Sequence, residues 1–475
     1  MNDMNSNLKQ EKRNTIIVYA MLSLISSVYV YFILLNANWT WGDDYEFLIS
    51  TAVDKIEWSL HIANRGRFYP FGHFDYNILT LIPGATTPLA HYILVAVSFV
   101  FFIIFSVKLY SIILKESGRN SVFNTWLILI IISFLLYYFY RIFFFLVYPE
   151  RMIVVLMTLF FILYYQFIKK EKMIYGVLAI IISVYLIYCK ETIFLVFSTI
   201  IGLNLLLNFK NLTNKQKIFY YALGLNVIIF LILYYFIAYR DAETFYSRNS
   251  NFNDVFLFSF GNLKLLYIAI VLALWRAYQV LIKKDRQHLF FDSLLFSGII
   301  YALANVLLKL PMDYYYFPAV MMTLPAIIYW LAKYLHPKWI CVGLLVITVY
   351  YGRKFPTVIN NIQGQRINTS KNVVELTKFV KSATEVLWYD DPSNNTVERG
   401  LIGYQREISE VYIKFYDQSL SGLNIRHINS ISDSLMQGAI LFYSDKNNTK
   451  QNISELGFEK LDLPNIYEIA VYIKK

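Results

Sequence analysis

Between residues 15 and 352 the chain is a succession of apolar runs, each about 15–23 residues long, separated by short segments holding most of the charge. About 20 apolar residues in a helix rise far enough to cross a hydrocarbon core roughly 30 Å thick. In that solvent only helices and closed barrels satisfy their own backbone polar groups, so runs of this length dictate a polytopic helical fold. The composition agrees: 57% hydrophobic and 18% aromatic against 16% charged excludes an ordinary soluble globule. The first run follows Lys9, Lys12 and Arg13, as the core of a signal peptide would. It is long, however, and no small-residue cleavage site follows it, so it reads as a retained span.

Eleven spans are expected, at 15–36, 88–110, 122–140, 151–168, 173–188, 192–209, 218–238, 263–282, 290–308, 317–334 and 338–352. The formal charge of +11 does not point to nucleic acid, because the cations fall in clusters between spans: Lys108, Lys115 and Arg119; Lys169, Lys170 and Lys172; Lys210, Lys215 and Lys217; Lys283, Lys284 and Arg286; Lys333 and Lys338. With the N-terminus cytoplasmic, every cluster lies on the cytoplasmic side, as the positive-inside rule requires. The chain then crosses a membrane many times, with the C-terminus on the far side. The two cysteines, Cys189 and Cys341, sit far apart in or beside spans and indicate no disulfide.

Three regions follow. Residues 1–14 form a cytoplasmic N-terminus, and 15–352 form the membrane body, including a long extracytoplasmic loop at 37–87. Residues 353–475 form a small extracytoplasmic α/β domain, where long apolar runs give way to Asn, Ser, Asp and Glu. In this tail, 372–381 has the spacing of an amphipathic helix, and 385–389, 439–443 and 466–473 read as strands.

Unusual polar residues gather on the extracytoplasmic side. The first loop carries Trp41-Gly42-Asp43-Asp44 just after span one, then Asn64-Arg65-Gly66-Arg67-Phe68 and His73 with Asp75. Later turns on the same side add Arg141, Glu150-Arg151, Lys190-Glu191 and Asp313-Tyr314. The spans themselves carry almost no charge, which disfavours a transporter with ionisable groups at mid-depth.

A carboxylate can act as general base towards an acceptor hydroxyl, so Asp43 and Asp44 are the candidate catalytic acids. Being adjacent, they point different ways on an extended or turn backbone. One is the candidate base, and the other is then placed to orient substrate or a divalent metal. Arginine forks match phosphate oxygens and lysine supplies a point charge, which makes Arg65, Arg67, Arg151 and Lys190 candidate phosphate ligands, with Glu150, Glu191, Asp313 and Tyr314 beside them. Each group also has a plainer use. Arg65 and Arg67 suit headgroup anchoring, and Glu150-Arg151 and Lys190-Glu191 suit ion pairs that tie span ends together. His73 and Asp75 have metal-ligand spacing on a strand but lack a third ligand, so no metal site is assigned.

The Asp-Asp pair after span one, the Asn64–Phe68 stretch, the multi-span body and the C-terminal domain together resemble the GT-C fold glycosyltransferases. The likeness is greatest to bacterial members that decorate surface glycans or lipids. That resemblance implies a polyprenyl-phosphate-linked sugar as donor, a glycan or lipid acceptor at the outer membrane face, and Asp43 or Asp44 as base. Many members carry Arg-Tyr before an aromatic residue and a Pro in a late turn. Here Asp313-Tyr314-Tyr315-Tyr316-Phe317-Pro318 has Asp in place of Arg, leaving Arg151 and Lys190 as substitutes. A surface-polysaccharide polymerase or a lipid-linked glycan flippase would share the location and the carrier lipid.

Overall fold

The computed structural model describes residues 2–40, 61–62, 66–82, 87–118, 123–146, 148–240, 253, 255, 264–310 and 312–389. It also describes 409–410, 413–414, 418–420, 422, 424–428, 430–431, 435–444, 453–461 and 469–475. The expected catalytic acids Asp43 and Asp44, the candidate Arg65 and the proposed interfacial helix at 45–60 lie outside the described residues. The chain forms two compact units: one of residues 1–33, 57–78 and 93–355, and a second of 34–56, 79–92 and 356–475.

The first unit is helical. Its main helices are α1 (Asn2–Leu34, which runs on into the second unit), α2 (Phe74–Thr80), α3 (Pro88–Glu116, which begins there), α4 (Phe123–Tyr138) and α5 (Tyr140–Phe144). They continue with α6 (Glu150–Lys170), α7 (Met173–Cys189), α8 (Phe194–Asn208), α9 (Asn214–Tyr234), α10 (Lys264–Leu281), α11 (Leu289–Leu307), α12 (Phe317–Tyr334) and α13 (Pro337–Gly352). A short hairpin pairs β1 (His61–Ile62) with β2 (Arg67–Phe68).

Among the described residues, eight helical stretches are long and apolar enough to cross a membrane: Arg13–Leu34, Pro88–Glu116, Glu150–Lys170, Glu191–Asn211, Asn214–Tyr239, Lys264–Leu281, Leu289–Leu307 and Asp313–Tyr334. The apolar helices Phe123–Tyr138 and Met173–Cys189 are shorter. Their ends follow local chemistry. Thr213 closes a capping box with Gln216 at the start of α9. Lys169 and Lys170 sit in the last turn of α6, where cations favour the helix dipole, and Glu171 ends it in the left-handed conformation.

Large apolar side chains such as Ile16, Leu24, Val271, Leu274 and Val346 are exposed over this unit, the surface expected of a fold solvated by lipid. In contrast, α12 is buried along nearly its whole length. It lies so close to α11 that a Cβ added at Gly298 would stand 2.5 Å from Thr323 Cγ2 and 2.9 Å from the Ala319 carbonyl. Small residues permit such close approach, which drives helix association where lipid is as apolar as leucine.

The interior is more polar than the near absence of charge in the spans suggests. Tyr164 and Tyr220 share a 2.9 Å hydrogen bond, and Asn204 donates to Tyr164 and to Ser293. Arg276 of α10 clamps Asp292 of α11 with two bonds of 2.7 and 2.8 Å and lies 4.1 Å over the Trp330 ring. This buried ion pair corrects the expectation of nearly uncharged spans. It sits near the C-terminal end of α10 and in the first turn of α11, so mid-depth stays free of it.

The second unit contains α14 (Phe355–Ser382, entering at Pro356) and a five-stranded sheet of β3 (Val386–Tyr389), β4 (Arg426–Ile428), β5 (Ile440–Ser444), β6 (Phe458–Lys460) and β7 (Ile469–Lys474). The strand order is β4-β3-β5-β7-β6, with β3 parallel to β4 and β5, and β7 antiparallel to β5 and β6. Alternation sends Val386 and Trp388 to one face with Leu376 and Val380 of α14, and Leu387 and Tyr389 to the other with Ile453 and Phe458. Both faces of β3 are covered, which explains its unbroken apolar sequence. Within this unit Arg366 is buried, donates to the Leu35 carbonyl at 3.1 Å and lies 4.0 Å over Tyr92.

Candidate functional site

At one end of the helical unit the chain collects four acid–base pairs. Their partners differ from those that adjacency in sequence would suggest. Glu150 and Arg151 are consecutive at the start of α6, where side chains one residue apart point about 100° away from each other. Glu150 therefore meets Lys190, and Arg151 meets Asp75.

Lys190 itself is extended (φ −163°, ψ 132°) between α7 and the 3-10 turn Glu191–Ile193. That backbone sends Lys190 into the bundle and Glu191 back towards the hairpin. Glu191 Oε1 accepts 2.6 Å from Arg67 Nε and 3.0 Å from the Phe68 backbone N–H. The fourth pair joins Arg141 of α5 to Asp313, with Nη1 to Oδ1 at 2.7 Å.

Burial separates these pairs into two kinds. The Lys190 and Glu150 side chains are 4% and 1% exposed, and Arg151 is 2% exposed. Arg67 and Glu191 are 15% and 13% exposed, whereas Arg141 and Asp313 are 38% and 30%. The first kind holds its charges fast, because parting a buried pair strands an ion in low dielectric. The second can exchange partners with a ligand at small cost.

Aromatic rings line the same region. Lys190 Nζ lies 4.1 Å over Tyr315, and Tyr314 is 4.4 Å from both Tyr148 and Tyr315. Arg67 lies 4.7 Å over Tyr69, and Arg151 lies 4.8 Å over Tyr76 while donating to Ser98 Oγ at 2.6 Å.

The loop that carries Arg67 and Asp75 is pinned to the bundle. The Phe71 N–H donates to the Tyr188 carbonyl at 3.0 Å, Cys189 Sγ donates to the Phe71 carbonyl, and Tyr234 donates to the Gly66 carbonyl at 3.0 Å. Gly66 has φ +64°, a left-handed conformation that suits glycine and turns the hairpin.

Electrostatics follow from this geometry. Burial lowers the Lys190 ammonium from its ordinary value, against the opposing pull of Glu150. Burial likewise drops the His73 imidazole to about 4, although Asp75 opposes it. Among the described residues, the buried Glu150 Oε2 and Asp75 Oδ1 make no hydrogen bond, while Tyr301 bonds with the side chains of Thr192 and Asn305. Buried polar atoms are nearly always paired, so these two carboxylate oxygens keep capacity to accept a further bond.

Of the candidate residues, Arg67, Glu150, Arg151, Lys190, Glu191, Asp313 and Tyr314 all enter this arrangement. His73 precedes α2 and Asp75 lies in its first turn, not on a strand. Asp75 serves Arg151, and no group of three or more His, Cys, Asp or Glu able to hold a metal occurs among the described residues. Sequence reasoning had noted Arg141 as a charge at this membrane face without assigning it to the site. It gave no signal for Tyr301 or Thr192, whose residue types are common in any span.

No protein-family model matches the sequence, and no curated protein sequence matches it. The chain does, however, share its fold with a solved structure. It is similar in structure to ArnT from Cupriavidus metallidurans, crystallised with undecaprenyl phosphate, with a TM-score of 0.52 and 10% sequence identity. The match covers 96% of this chain and 98% of that one.

Proposed function

We propose that the protein is a glycosyltransferase that takes a sugar from a polyprenyl-phosphate donor and passes it to a glycan or lipid acceptor. It does so at the outer face of a bacterial plasma membrane that it crosses eleven times. The observation that carries this reading is the gathering of four cation–carboxylate pairs at one end of a GT-C-fold bundle. That a protein of this fold binds undecaprenyl phosphate supports the choice of donor.

Burial supports a division of roles. Arg67, and then Arg141, hold the leaving phosphate, because these two cations are partly exposed while Lys190 and Arg151 are buried. Lys190 and Arg151 stay with Glu150 and Asp75 and fix the floor beneath them. Asp43 or Asp44 removes the acceptor proton as its oxygen attacks the anomeric carbon, and the bond to the phosphate oxygen breaks in line. The departing phosphate gains charge, which a guanidinium fork stabilises more than it stabilises the diester.

The test uses purified protein with polyprenyl-phosphate and polyprenyl-pyrophosphate donors of several sugars. Consumption of a monophosphate donor, abolished by either Asp43→Asn or Asp44→Asn in a folded protein, is the expected result. Consumption of pyrophosphate-linked glycan alone identifies a polymerase instead, and full activity in both variants removes the assigned base.

A further inference from the structure

The opposite end of the helical unit holds a second polar cavity. It has a volume of about 160 Å³ and is lined by Lys169, Arg286, His288, Asn208, Gln216 and Tyr165, among others. One water needs roughly 10–15 Å³ measured this way, so the cavity admits a polyatomic group. Lys169 belongs to the last turn of α6 and Arg151 to its first, so the 21-residue helix separates this cavity from the candidate active site by roughly 30 Å.

Its charges are only partly neutralised from within, by Glu116, which also lines it. Lys169 donates to Glu116 at 2.8 Å and Arg286 donates to the Leu207 carbonyl. Both cations are exposed, so the ammonium keeps two further donors and the guanidinium four. The other nearby carboxylates are committed elsewhere, since Arg276 takes Asp292 through two bonds and Asp285 through Nη1 at 3.0 Å.

The wall opposite Lys169 is the N-terminus of the 19-residue α11, whose first residues Leu289, Phe290 and Phe291 line the cavity. Its N-cap, His288, makes no side-chain cap. Lys333 Nζ donates to His288 Nε2 at 2.5 Å, which leaves Nδ1 to donate to Tyr329 Oη at 2.8 Å. The helix dipole and its unbonded first-turn N–H groups therefore face the same space as the two cations. Side-chain amides of Asn208 and Gln216 add neutral donors.

We propose that this cavity binds a phosphate group, carried by an anionic lipid headgroup or by a soluble phosphate compound. Basic pockets between spans at the cationic face of a membrane protein are suited to such headgroups. The site is independent of the transferase reading, because it shares no residue with the candidate active site.

The full chain in detergent is melted while tryptophan fluorescence is followed, with added inorganic phosphate, dihexanoyl-phosphatidylglycerol or zwitterionic dihexanoyl-phosphatidylcholine. A saturable rise in Tm with either of the first two, and none with the third, is expected. Lys169→Gln and Arg286→Gln should each weaken the apparent affinity about ten-fold, the loss of one charge-assisted contact. A response to phosphatidylglycerol alone identifies the headgroup, and a response to inorganic phosphate identifies the soluble form. The proposal is overturned if neither probe shifts Tm, or if both single variants respond as the parent does.

Discussion

Replacing Glu150 with Gln keeps the shape of the side chain and removes its charge, leaving the Lys190 ammonium facing Tyr315 and a neutral amide. Both members of this pair are at most 4% exposed, so little solvent is present to compensate. Breaking a buried pair on one side costs about 3–5 kcal/mol, whereas replacing both partners with apolar residues is often neutral. Glu150→Gln should therefore lower the apparent Tm by several degrees, and Glu150→Leu with Lys190→Met should recover most of the loss.

The pH dependence has a definite sign. Burial already holds Lys190 below its ordinary value, and Glu150 is the main opposing influence, so the variant lowers it further. Between that depressed value and the unfolded value of about 10.4 the unfolded chain binds the extra proton, so stability rises with pH. The deficit of Glu150→Gln relative to the parent should shrink from pH 7 to pH 9.5. Melting curves in detergent across this range are the assay. A variant that melts with the parent at pH 7, or a double variant as damaged as the single one, refutes the account of a buried ion pair.

Two further outcomes follow from the structure. Gly298→Ala places a methyl group against the Ala319 carbonyl, which cannot swing aside, so α11 and α12 must part; a loss of about 1–3 kcal/mol should appear as a lower Tm. His73, with its imidazole at about 4, is neutral where the unfolded chain is already protonated, so acidification from pH 6.5 towards 4 destabilises the fold. The loss reaches about 2 kcal/mol at pH 5, and His73→Gln should flatten that part of the pH–Tm curve.

The helical body was legible because bilayer thickness imposes a length on each run, and a length is visible in sequence. The clusters around Lys169 and Arg286 were legible for a related reason, since both cations mark helix ends. Pairing was not. Arg151 finds Asp75 and Lys190 finds Glu150 across 76 and 40 positions, and the extended backbone of Lys190 decides that it and Glu191 face opposite ways. The Arg276–Asp292 clamp escaped notice because an arginine inside an apolar run resembles an isolated cost until its partner is seen. The β3 strand was readable within a residue, since the apolar run Val386–Tyr389 follows Glu385 in the expected 385–389 and is the observed strand.

The central claim is that the partly exposed Arg67, not the buried Lys190 or Arg151, receives the phosphate of the donor lipid. The most direct measurement is the binding of a short polyprenyl phosphate to the purified parent and to Arg67→Gln, with folding checked by Tm. Exchange of Arg67 from Glu191 to phosphate predicts at least a ten-fold rise in Kd for the variant, the loss of one charge-assisted contact. Unchanged affinity in a folded Arg67→Gln protein would contradict it.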